Sequence, residues 1–283
     1  MPRPNRTQTQ RTAVLISFIV SIVINFFYLS GHGVSGDRHN AVFHLDHTPF
    51  TPNYYFLVLF WIAAYLAQIA YLHQLFAGAE DSRKAAEEVG WFVTVFNTLH
   101  FIWLLFIAHG HSVVAFIVVI FNFLFTGSLY WQKRTHILHP PNRWLTIHIG
   151  AAGMPFAWTL FALFWSGAVA VHSQSLVARV FANIFIWALL IVPTTALLVF
   201  ADWSFGYASA FLTWGLAVGQ IVDKTFALQW IFAVIIATIL TLESAIIMFA
   251  RGFTGMANNG IGLEEVLENV REGSHEETAL IES

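Results

Sequence analysis

Three polar residues in otherwise apolar surroundings, Asn97, His100 and Asn122, have the types and spacing to do chemistry. Asn97 and His100 are three apart, which on a helix places them on neighbouring turns of one face. Asn122 lies in the next apolar run, beyond a very short connection, so the three can converge. An imidazole near two amides could hold a polar ligand group or act as a general acid. The same residues could instead be interhelical hydrogen-bonding glue. Glu243, with Thr241 and Ser244 beside it, is the one carboxylate well inside an apolar run, and such a carboxylate is a functional candidate by default. Trp61 and Tyr65 are spaced i,i+4, followed by Gln68 and His73, while Trp158 and Trp165 are seven apart. Each pair forms an aromatic stripe that serves either packing or a binding platform.

Other chemistries find little footing. The 13 His fall into pairs such as His44/His47, His109/His111 and His136/His139, and none makes a dense histidine box. His44, Asp46 and His47 are too few and too local to assign a zinc ion, so no metal and no cofactor is assigned. There is no cysteine, which excludes disulfides, thiolate metal sites and cysteine nucleophiles. No phosphate-binding Gly-rich loop, nucleophile elbow or HExxH motif occurs. Lys224 as a retinal-type Schiff base would need a counter-ion, and adjacent Asp223 points about 100° away around a helix. Arg179 and Asp202, at opposite ends of one apolar run, are expected at the interface.

These residues must be positioned by elements suited to lipid. Hydrophobic residues make up 57% of the 283-residue chain and charged ones 10%, more apolar surface than a water-soluble domain of this size can hide. A helix needs about 20 mostly apolar residues to cross the hydrocarbon core. The sequence supplies eight such runs: 13–30, 54–77, 90–109, 112–131, 147–170, 178–201, 204–222 and 226–250. No alternating ten-residue pattern recurs, so an all-α transmembrane bundle is expected rather than a barrel. The stretch 203–251 is split at Asp223-Lys224, because two adjacent charges sit better at an interface than at the bilayer centre.

Positive charges then orient the bundle. With the N-terminus in the cytoplasm, the inner segments hold Arg3, Arg6, Arg11, Arg83, Lys84, Lys133, Arg134, Arg143, Arg251 and Arg271. The outer segments hold only Arg38, Arg179 and Lys224. This divides the chain into a cytoplasmic segment 1–12, a bundle 13–251 and a cytoplasmic tail 252–283, with the organelle left open. The tail carries seven Glu against the single Arg271, a net −6, and would repel nucleic acid. Leu263, Val266, Leu267 and Val270 form an apolar stripe within it, so a cytoplasmic partner could dock on 260–283. On the outer side the Gly- and His-containing loop 31–53 is long enough to cap a site.

The run Thr48-Pro49-Phe50-Thr51-Pro52-Asn53-Tyr54-Tyr55, leading to Trp61 and Tyr65, resembles the start of the second helix in larger relatives of the translocator protein (tryptophan-rich sensory protein) family. Phe96-Asn97-Thr98-Leu99-His100-Phe101-Ile102-Trp103 is similar to the Asn/Trp pattern on that family's next helix. Over its whole length the chain resembles a fungal family of uncharacterised multi-spanning proteins, on runs such as Pro155-Phe156-Ala157-Trp158 and Ala227-Leu228-Gln229-Trp230. The translocator resemblance implies a pocket for tetrapyrroles or sterol-like ligands, with Trp61, Tyr65, Asn97 and Trp103 in the matching positions. Those proteins have five helices, whereas eight are read here. The ligand-binding candidates are then Trp61, Tyr65, Asn97, His100, Trp103, Asn122, Trp158 and Glu243. The leading expectation is a non-enzymatic protein in the lipid bilayer that binds or moves a small lipophilic molecule of sterol, tetrapyrrole or isoprenoid type. The alternatives are a membrane enzyme acting on a lipid or isoprenoid, with Glu243 or His100 as general acid, and a scaffold docking through the acidic tail.

Overall fold

Eight helical stretches long and apolar enough to cross a membrane run through the computed structural model, which describes residues 6–30, 48–133, 135–138, 143–171, 176–223 and 228–257. They are α1 (Arg6–Leu29), α2 (Tyr54–Ala77), α3 (Glu80–Ala108), α4 (Ser112–Gln132), α5 (Met154–Ala170), α6 (Leu176–Phe185), α7 (Ala188–Phe200), α8 (Trp203–Asp223) and α9 (Gln229–Ala257). A π-helical segment, Trp144–Gly153, runs directly into α5 to make the fifth crossing, and α6 and α7 together make the sixth. No strand occurs among the described residues.

The expected eight crossings are therefore present, with shifts that have local causes. α3 starts at Glu80 rather than residue 90, because the polar turns before the apolar run are helical too, and Glu80 and Asp81 suit a helix N-terminus. α8 ends at Asp223 and α9 begins at Gln229, which is the break expected at Asp223-Lys224. α9 continues past Arg251 to Ala257. Most of the capping loop, 31–47, and the acidic docking stripe of 260–283 lie outside the described residues.

The fifth and seventh crossings form the centre of the bundle, 72% and 67% buried, whereas the fourth, sixth and eighth are each 28% buried. The outer helices turn apolar side chains outward at helical spacing: Ile16, Ile19 and Val23 on α1, and Val113, Ile117, Phe121 and Leu124 on α4. In water such stripes would drive aggregation, whereas lipid accommodates them. The chain has the build of a multi-pass helical membrane protein.

The π-helical winding has a sequence cause. Pro155 lacks an N–H and its ring would press on the carbonyl of Ala151 in an α-helix, so the wider winding just before it relieves that clash. The small run Gly150-Ala151-Ala152-Gly153 permits it and uses it for close approach. A Cβ on Gly150 would overlap the Ala67 carbonyl oxygen of α2, and one on Gly153 would lie 2.8 Å from Ser204 Oγ on α8. The centre of the bundle is thus a backbone junction that only glycine allows.

Candidate functional site

Two of the buried polar groupings among the described residues could carry function, and the sequence candidates gather in the first. Trp61 on α2 lies face to face with His100 on α3, ring centroids 4.2 Å apart and planes 26° apart. Trp158 from α5 meets both edge-on, at 4.8 Å from Trp61 and 5.7 Å from His100. Trp103 stacks over the other side of His100 at 5.4 Å. Three residues read from helical spacing, together with Trp103, which only the resemblance named, thus form one aromatic box on three helices, and the imidazole in it is 1% exposed.

The polar atoms of this box divide sharply. Trp103 Nε1 donates to Ser166 Oγ at 2.9 Å. Gln68 and Asn97 exchange two amide hydrogen bonds of 3.3 Å. The Tyr65 hydroxyl is committed to α1, donating to the Ser21 carbonyl and accepting from Asn25 Nδ2 at 3.0 Å. Among the described residues, however, His100 Nε2 and Trp61 Nε1 have no hydrogen-bond partner. A buried polar atom left unmade typically costs about 1–3 kcal/mol, so two on stacked rings call for an explanation. Beside Trp61, the residues Phe60, Ala64, Gln68, Phe96, Met154, Pro155 and Trp158 line packing gaps too small to hold a water molecule.

Asn122 lies close by on α4 but donates to the Phe96 carbonyl at 3.4 Å. Among the described residues no hydrogen bond joins it to Asn97 or His100. Glu243 stands apart from the box: it is half-buried on α9, where Thr194 of α7 donates to its Oε2 at 2.7 Å. The box is built on α2, α3 and α5, so His100 and Glu243 belong to different parts of the bundle.

The second grouping was not legible as a site. Asp202, expected at the interface, is completely buried in the two-residue turn between α7 and α8. Ala201 before it takes a left-handed conformation with φ 51°, a strain of about 1–2 kcal/mol, and this lets the chain reverse within two residues. Asp202 then caps α8: its Oδ1 accepts from the backbone N–H of Ser204 and Phe205 and from Ser204 Oγ at 2.7 Å. Its Oδ2 accepts from the Tyr130 hydroxyl at 2.7 Å and faces His148 Nε2 at 2.8 Å. The other ring nitrogen, Nδ1, is 2.8 Å from Thr135 Oγ1. His148 is itself completely buried and sits on the π-helical segment.

Burial pushes the Asp202 carboxyl upward, but the neighbouring His148 and the hydrogen bonds from His148, Ser204 and Tyr130 outweigh it. The group is held below the usual carboxylate range. Two signals could have pointed to this grouping. Asp202-Trp203-Ser204 at the head of an apolar run reads as an N-cap, and glycines before Pro155 flag a non-α backbone. The histidine's partner, 54 residues away, had no local mark. Among the described residues no three His, Cys, Asp or Glu side chains come together as a metal site.

Residues 179–279 match the family described as "Fungal protein of unknown function (DUF1774)". The chain is also 36% identical over 92 residues to an uncharacterised protein of Schizosaccharomyces pombe, covering 32% of this chain and 34% of that one. The chain thus spans about a third of the length of the curated relative it matches. No solved structure matches. The expected kinship with an uncharacterised fungal family is supported over these segments, and the translocator resemblance is not.

Proposed function

We propose that this fungal-type multi-pass membrane protein, with both ends cytoplasmic, binds a small lipophilic molecule carrying one hydroxyl or carbonyl group at the Trp61–His100–Trp103–Trp158 box. The supporting observation is that two stacked rings, Trp61 and His100, each carry a buried nitrogen with no hydrogen-bond partner among the described residues. Trp61 Nε1 can only donate, whereas a neutral imidazole nitrogen donates or accepts according to tautomer. A ligand oxygen that reaches either nitrogen would supply its missing hydrogen bond, while the ligand's hydrocarbon body replaces ring-to-ring contact. This chemistry fits a sterol or an isoprenoid alcohol better than a molecule of many charges.

The gaps lined by the box residues are far too small for such a ligand, since drug-sized ligands need about 300–1,000 Å³. Binding therefore requires an opening between α2, α3 and α5, and Met154 and Trp158, next to the π-helical segment, line the wall that would move. Purified protein in lipid nanodiscs can be titrated with a fluorescent sterol and with a long-chain isoprenoid alcohol, following tryptophan quenching. Saturable quenching is expected, weaker by about tenfold in His100→Leu, which corresponds to one lost hydrogen bond. A matched hydrocarbon lacking the oxygen should behave alike in both proteins. No saturable quenching by any of these ligands, or equal affinity in His100→Leu, would overturn the reading.

A further inference from the structure

The Asp202 grouping plays no part in that ligand site, yet it is the most complete polar assembly in the bundle. Asp202 Oδ2 can only accept, so the His148 nitrogen facing it, Nε2, must carry a proton. Everything then depends on Nδ1, which faces a hydroxyl. Thr135 can donate to an unprotonated Nδ1 or accept from a protonated one by rotating its O–H. The chain Thr135–His148–Asp202 is therefore fully hydrogen-bonded with either a neutral or a cationic ring. A buried histidine that keeps its bonds in both states can take up and release a proton in place.

The surroundings support that role. The titratable and charged side chains described against His148 are Tyr130 from α4 and Asp202 before α8, while His136, from the turn Thr135–Ile137, lies against Tyr130 instead. Tyr130 supports the carboxylate directly, through its hydroxyl on the same Oδ2. Trp144 stacks on the His148 ring at 5.2 Å and 26°. π-helical turns also mark places where a helix can change its winding. Two residues beyond His148, Gly150 runs so close to α2 that a Cβ there would overlap the Ala67 carbonyl, next to the backbone of Gln68. Gln68 lines the gaps beside the aromatic box, as do Met154 and Pro155 at the far end of the same segment. The His148-bearing segment is thus the backbone that connects the two polar groupings.

We propose that Thr135, His148 and Asp202 form a one-proton binding site, and that its occupancy is linked through the π-helical segment to opening of the aromatic box. The linkage rests on the ligand reading above; the proton site does not. Balance is simple: one proton from water is taken up on His148 Nδ1 and released from the same atom, with no bond to carbon made or broken.

The proton site is tested first, without ligand, on the full chain in nanodiscs. Tryptophan emission is followed across a pH series, because a protonated ring quenches the indole stacked on it. A single one-proton transition is expected in the wild type and should be absent from His148→Gln and from Trp144→Phe. No transition, or one that survives in a folded His148→Gln, overturns the site. Should His148→Gln fail to fold, Thr135→Val serves instead, since it removes the two-way hydroxyl but not the ring. It should move the midpoint, and an unchanged midpoint overturns the site. The linkage is then read from the fluorescent-sterol Kd on either side of the transition. A Kd that shifts with pH in the wild type and is flat in His148→Gln supports it, and a flat wild-type Kd overturns it. Absence of sterol binding at every pH would remove the ligand reading and the linkage together, while the proton transition stands on its own measurement.

Discussion

His100 and His148, two of the three buried histidines among the described residues, stand in opposite circumstances. His148 has both ring nitrogens occupied, against a carboxylate that itself receives hydrogen bonds from a second helix and two backbone N–H groups. His100 has aromatic faces above and below and an Nε2 with no partner among the described residues. Burial is nearly equal, 0% against 1% exposed, so desolvation alone does not distinguish them. The difference lies in what the protein supplies. Around His148 it supplies everything, and the assembly ties α4, the π-helical segment and α8 together. Around His100 it supplies only apolar contact, which leaves a place for something else to complete.

The largest effect should come from breaking the complete assembly. Asp202→Asn turns an acceptor-only group into one that presents an N–H to donors already aimed at it. Removing one partner of a buried charge-assisted network typically costs about 3–5 kcal/mol. We expect Asp202→Asn to lower the unfolding midpoint in detergent by the corresponding amount, and a change below about 1 kcal/mol would refute a structural role. The pH dependence has a definite sign. The Asp202 carboxyl lies below its unfolded value, so its contribution is present above the usual carboxylate range of about 4 and is lost as pH falls through the folded value. The variant should lack that acid-side decline.

His100 should respond in the opposite direction. His100→Leu removes an unpartnered buried nitrogen and keeps apolar bulk against Trp61, Trp103 and Trp158. The aromatic stacking lost is about 0.5–1.5 kcal/mol, against about 1–3 kcal/mol recovered by no longer burying an unmade hydrogen bond. Unfolding measurements should therefore find the variant as stable as the wild type or more so by up to about 2 kcal/mol, even as sterol affinity falls. A strongly destabilised His100→Leu would mean that the ring is structural after all, and the contrast with His148 would disappear.

Legibility followed the same division. The eight crossings could be read because each is a run of about 20 apolar residues, a signal carried by neighbours in sequence. Trp61, His100 and Trp158 could be read as candidates because helical spacing puts polar or aromatic residues on one face, and three faces happened to meet; Trp103 was named only by the resemblance. The Asp202 grouping could not, because its members come from four segments and an aspartate at the edge of an apolar run looks interfacial. Only the left-handed Ala201 and the glycine-permitted approach of Gly153 to Ser204 draw that carboxylate inward. The π-helical winding also escaped, since it preserves length and hydropathy while changing which carbonyl each N–H meets.

Glu243 provides the mildest test of the contrast, because it falls between the two cases. Its carboxylate is half-buried and hydrogen-bonded by Thr194, but no described basic side chain pairs with it. A carboxylate in an apolar run invites a catalytic reading, in which Gln would be inactive because it has no proton to give. Its position on α9 against α7 argues instead for a local tie between outer helices, which Gln makes equally well by accepting the Thr194 proton through its amide oxygen. Glu243→Gln should then change stability by no more than about 0.5 kcal/mol and leave both the sterol affinity and the tryptophan pH transition unaltered. A loss of either would extend function to the outer layer of the bundle and break the separation between a complete polar assembly and an open one.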